Sequence, residues 1–85
     1  TSGKLFGKAT ALSQIATEFG LSKSSMLYIG DETRDIDAAQ QFGCAQLAVT
    51  WGYNSKAILG TRNPDYIAEN TNLILSCVKK HFDKE

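Results

Sequence analysis

The stretch MLYIGDETRDID, residues 26–37, constrains this chain more than any other. Met26, Leu27, Tyr28 and Ile29 run without a charged residue until Gly30 ends them. So short a run has the length of a strand, and its continuous apolarity suits a strand covered on both faces. Four acidic residues and one arginine then crowd into the seven positions from Asp31 to Asp37. Thr33 or Asp35 can open a helix there, with Ile36, Ala39 and Phe42 turned inward and Gly43 closing it. A strand covered on both faces needs helical layers, and the rest of the chain supplies them.

Upstream, residues 8–19 place Leu12, Ile15, Ala16 and Phe19 at the spacing of one helical face, and Gly20 stops the pattern. Downstream, QLAVT at residues 46–50 predicts a second strand, ended by Trp51-Gly52. Residues 54–59 predict a short helix, capped by Asn54 or Ser55 and finished by Gly60. Asp65-Tyr66-Ile67-Ala68, after the only proline, Pro64, reads as a short third strand. Residues 71–82 return to helical spacing through Leu75, Val78 and Phe82, with Lys79 and Lys80 near the C-terminal end. Such alternation implies parallel strands joined by right-handed crossovers. The predicted fold is α/β, a partial doubly wound, Rossmann-like parallel sheet of about three strands with flanking helices. Ligands in such sheets bind beyond the carboxyl ends of the strands, where Asp31 and Asp35 lie.

At 85 residues the chain is one domain or part of one, with a modest core and no room for a large enclosed pocket. Nine basic and nine acidic residues cancel, and no Lys/Arg cluster is interleaved with aromatics, which argues against nucleic acid as a partner. No apolar stretch approaches the ~18 residues of a membrane span, and no signal-type apolar region opens the sequence. Cys44 and Cys77 form no CxxC and signal neither zinc nor a redox pair, so both read as packing residues in a reducing compartment. The expectation is a cytoplasmic chain without membrane contact. His81, within KKHFDKE, reads as part of a solvated helix end.

Asp31 and Asp35 are four positions apart, so both carboxylates can face one point above the strand end. Like charges held that close repel unless something positive sits between them. Mg²⁺ suits the role, because it takes a few carboxylate oxygens and keeps several waters; Arg34 is the competing neutraliser. A calcium-binding EF-hand loop starting at Asp31 fails, since Ile36 stands where glycine is needed and Phe42 where glutamate is needed. Spacing alone leaves two readings open, a cation site and an acidic helix N-terminus with no ligand.

The segment GDETRDIDAAQQFG, following its apolar strand, resembles the fourth motif of the haloacid dehalogenase-like hydrolases, GDxxxD before a helix that ends in glycine. LFGKATAL, earlier in the chain, is similar to that family's lysine motif. LAVTWGYN and NPDYIAENTNLIL resemble the segments downstream of the fourth motif in its phosphoglycolate phosphatase-like members. The resemblance runs from about Leu5 to Phe82 with the four segments in order. It implies hydrolysis of a small phosphate monoester through an aspartyl-phosphate, with Mg²⁺ holding phosphate and nucleophile together. By position, Asp31 matches the metal ligand, Asp35 the second acidic residue, direct or through water, and Lys8 the catalytic lysine. Lys4 is the neighbouring alternative for that lysine.

The family's nucleophile motif, DxDGT after an apolar strand, has no counterpart here; Asp35-Ile36-Asp37 has the DxD spacing but follows a polar loop and continues as Ala38-Ala39. The family's second motif, a Ser or Thr that follows another apolar strand upstream of the lysine, is absent as well. Residues 1–85 therefore read as the C-terminal part of the core domain, inactive alone, with nucleophile and cap outside the sequence. Competing readings are a non-catalytic α/β protein-binding module and a simple divalent-cation or phosphate-binding module. Trp51, Tyr53 and Asn54, just past a strand end, are candidates to line a pocket. The strand at residues 26–29 has no proline or lysine to block pairing along an open edge, which predicts self-association through it.

Overall fold

The computed structural model describes residues 2–83, with side chains described from Ala9 onward. The order is α1 (Ser2–Phe19), one 3-10 turn (Lys23–Ser25), β1 (Leu27–Gly30), α2 (Thr33–Phe42), β2 (Ala45–Val49), α3 (Lys56–Gly60), β3 (Tyr66–Ala68) and α4 (Thr71–Phe82). The strands form a parallel sheet in the order β1-β2-β3. The α/β class and each expected element are present.

Local chemistry sets the boundaries. α1 closes with Leu21 N–H donating to Ala16 O at 2.8 Å and Gly20 N–H donating to Thr17 O at 3.3 Å. α2 ends on Gly43, at φ 106°, where a residue with a Cβ would be strained. Ser55 caps α3 by accepting the Ile58 N–H at 3.3 Å, and Asn70 caps α4 by accepting the Leu73 N–H at 2.9 Å. α1 starts at Ser2, before the expected residue 8, and runs through Gly3 and Gly7.

Strand register sorts the sheet into two faces. Tyr28 pairs with Gln46, and Gly30, Ala48 and Ile67 align on the same side. α2 covers this side: Ile36, Ala48 and Leu59 form one cluster with Ile67, while Leu12, Ala39, Phe42 and Cys44 form another where α1 lies across α2. The opposite side carries Leu47, Tyr66 and Ala68, over which α4 packs. Leu47 and Ala68 are fully buried there. β1 has a strand neighbour on one side alone among the described residues, and Ile29 is 45% exposed.

Two apolar stripes, on α1 and α4, differ from their expected orientation. Ile15 and Phe19 of α1 are exposed, the latter by 67%, while Leu12, Ala9 and Ala16 make the contact. On α4, Leu75 and Phe82 are exposed and the half-buried positions are Ile74, Cys77, Val78 and His81. α4 lies against two short strands, so a neighbouring stripe meets the sheet. His81 is no solvated end: its Nδ1 lies 2.9 Å from Tyr66 Oη, and its ring stands edge-on to those of Tyr66 and Phe82.

Candidate active site: the acidic loop

The loop between β1 and α2 sits at the carboxyl end of the sheet. Gly30 is the last residue of β1 and Thr33 the first of α2, which leaves Asp31 and Glu32 to make the turn. The four acidic residues divide into distinct tasks. Arg34 forks onto Glu32 Oε1, Nη2 at 3.0 Å and Nε at 3.3 Å. Asp37 pairs with Arg62 at 3.0 Å and ties α2 to the segment after α3. Asp31 directly follows the last residue of β1, and the Asp35 carboxylate lies against Gly30.

Asp35 is 7% exposed, and its Oδ2 accepts the Glu32 N–H at 3.2 Å, returning across the first turn of α2 as a capping-box residue does. Helix capping, the simpler of the two readings of this loop, is thus realised in part. Asp31 is half-buried and held differently: its Oδ2 accepts the Tyr53 N–H at 3.1 Å, and its backbone oxygen accepts the Asn54 N–H at 2.9 Å. Asn54 Oδ1 in turn accepts the Thr33 N–H at 2.9 Å. The segment after β2 therefore grips the acidic loop on both sides of Glu32.

Two glycines make this approach possible. A Cβ on Gly30 would lie 2.5 Å from Asp35 Cβ and 2.8 Å from its Oδ2; one on Gly52 would overlap the Asp31 carboxylate. Trp51 and Tyr53 flank the same pole and are 51% and 75% exposed, so they present surface instead of filling the loop. Sequence alone makes Asn54 a helix cap or a pocket residue; in the fold Ser55 caps α3, and Asn54 serves the acidic loop. No local signal marks that role, since the partners are 21 to 23 positions upstream.

Among the described residues no group of three or more His, Cys, Asp and Glu gathers in a metal-binding arrangement, so this loop offers a pair of carboxylates. The side chains of Lys8 and Lys4, the two positions for the motif lysine, lie outside the described residues; the backbone of both falls within α1. No helix of the described residues is long and apolar enough to cross a membrane.

The HAD-hydrolase-like family model matches residues 5–73, which includes most of α1, the acidic loop, the Asn54 segment and β3. The chain belongs to the haloacid dehalogenase-like hydrolases. It is 39% identical over 74 residues to a phosphoglycolate phosphatase of Synechococcus elongatus, covering 87% of this chain and 35% of that protein. With a phosphoglycolate phosphatase of Photorhabdus laumondii it shares 42% identity over 60 residues, 71% of this chain and 26% of the relative. Among solved structures, a haloacid dehalogenase-like family hydrolase from Streptococcus pneumoniae superposes with a TM-score of 0.78 at 31% identity, covering 82% of this chain and 33% of that one. A predicted phosphoglycolate phosphatase from Haemophilus somnus 129pt superposes at 0.75 with 31% identity, covering 82% and 31%. This haloacid dehalogenase-like chain spans about a third or less of the length of these relatives.

Proposed function

We propose that residues 1–85 are the C-terminal part of the core domain of a Mg²⁺-dependent phosphatase that hydrolyses small phosphate monoesters through an aspartyl-phosphate. The observation that carries this reading is Asp31, held at the carboxyl end of β1 by the Tyr53 N–H on one oxygen and by the Asn54 N–H on its main chain. A carboxylate used only for helix capping needs no second segment to hold it. Asp31 and Asp35 are the residues that would hold the cation. Their fit is supported by the two glycines, whose missing side chains leave the carboxylates room that a Cβ would fill. When bound, the ion supplies the charge neutralisation that lets an anionic nucleophile approach an anionic phosphate.

Within this scheme Lys8 steadies the phosphate charge, and the attacking carboxylate belongs to a DxDGT segment that these 85 residues do not contain. The names of the relatives favour a small phosphorylated acid as substrate. A reducing, cytoplasmic setting fits the two free thiols. Amide spectra recorded during a magnesium titration test the reading. Weak, saturable shifts confined to residues 30–35, and lost in Asp31→Asn, are expected by ~10 mM Mg²⁺, since two carboxylates make a thin oxygen shell. An unresponsive loop at that concentration would return the acidic cluster to helix capping alone.

A further inference from the structure

We infer that Asn54 is a positioning residue, whose side chain fixes the acidic loop so that Asp31 is presented in one orientation. The inference rests on the reading of that loop as a cation site. Asn54 bridges the loop at two points: its N–H donates to Asp31 O at 2.9 Å, and its Oδ1 accepts the Thr33 N–H at 2.9 Å. Thr33 is the first residue of α2, so its N–H has no partner within the helix. Glu32 and Asp35 serve the first turn through each other, and Asn54 reaches across from the β2–α3 connection to take the Thr33 donor.

The adjoining residues hold Asn54 in turn. Ser55 caps α3, whose Leu59 is fully buried against Ile36 and Ala48, and Arg62, just beyond α3, pairs with Asp37 of α2. Asn54 thus immediately precedes the cap of a short helix docked to the same α2 whose first residue it grips. Metal ligands depend on such outer partners for orientation, and losing one commonly lowers metal affinity by about 10–100-fold.

Both ends of the bond can be removed separately. Asn54→Leu deletes the acceptor and keeps the branched shape of the side chain. Thr33→Pro deletes the donor at the first helical position, and its ring carbon also displaces the Asn54 oxygen that lies 2.9 Å from the nitrogen; the extended backbone of Glu32, φ −125° and ψ 150°, suits a residue before proline. Hydrogen exchange without metal should show the Glu32 and Asp35 amides of both variants exchanging at least about tenfold faster, with core amides on β2 unchanged. Magnesium titration should show affinity lowered by about tenfold or more in each variant, with the double variant no worse than either single one. Asn54→Asp, which keeps an acceptor, should restore protection at Glu32.

Unchanged loop exchange in Thr33→Pro would overturn the positioning role, even if Asn54→Leu fails to fold. Accelerated exchange in a chain whose unmodified form ignores magnesium would uphold the clamp and reject the cation reading, so the two failures are distinguishable.

Discussion

At the scale of single residues, the tightest constraint lies where side chains are missing. An alanine at Gly30 would set its Cβ 2.5 Å from Asp35 Cβ, and Asp35 sits in the first turn of α2, which cannot retreat without disturbing its cap. Gly30→Ala should therefore cost about 1–3 kcal/mol in denaturant unfolding, the usual range for overpacking, and shift the Asp35 resonances. A variant as stable as the parent would mean that the loop gives way freely. The two cysteines differ in the opposite sense. Cys44 is buried in the α1–α2 cluster, and desolvation by that burial pushes its thiol pKa up, so little thiolate forms near neutral pH. Cys77 is half-buried on α4. Iodoacetamide followed by peptide mass analysis should label Cys77 first, and preferential labelling of Cys44 would count against a closed α1–α2 contact.

At the scale of elements, β1 has an open edge among the described residues. Its backbone pairs with β2 on one side, Ile29 is 45% exposed, and no lysine or proline interrupts the strand. Such an edge is a template for another strand, so the chain should self-associate as its concentration rises, with Tyr28 and Ile29 amides protected in the assembly. Light scattering that reports only monomer, together with rapid exchange along β1, would refute this. Inside the sheet, Leu47→Ala should cost about 2–5 kcal/mol, because Leu47 is fully enclosed between the strands and α4. The strands and α2 were legible because their signals are local: a short apolar run before Gly30, and Gly43 closing α2. The inward stripe of α4 was not legible. Leu75, Val78 and Phe82 make as good a helical stripe as Ile74, Cys77, Val78 and His81, and the choice is made by β3, which lies earlier in the chain. Asp31 and Asp35 could be found from sequence because both lie in one segment, whereas the role of Asn54 required knowing that the β2–α3 connection crosses over them.

At the scale of the whole molecule, the candidate site gathers at one pole of the sheet. Asp31, Asp35, Asn54, Trp51 and Tyr53 all gather at its carboxyl end, and α4 with its basic last turn ends at the other. A pole with two carboxylates and no nucleophile motif should not turn over substrate: the 85-residue chain, assayed with an aryl phosphate and excess Mg²⁺, is expected to show no hydrolysis. Turnover that survives rigorous purification and disappears in Asp31→Ala would contradict that. The grip of residues 53 and 54 on Asp31 and Thr33 also has a meaning in time. During synthesis, β1, the acidic loop and α2 leave the ribosome with both aspartates in place, yet the donors and the acceptor that hold the loop emerge some twenty residues later. Until β2 has inserted beside β1, the nascent chain carries the two aspartates without their clamp, and under the proposed reading affinity for a cation would arrive as a late signal that the crossover has docked.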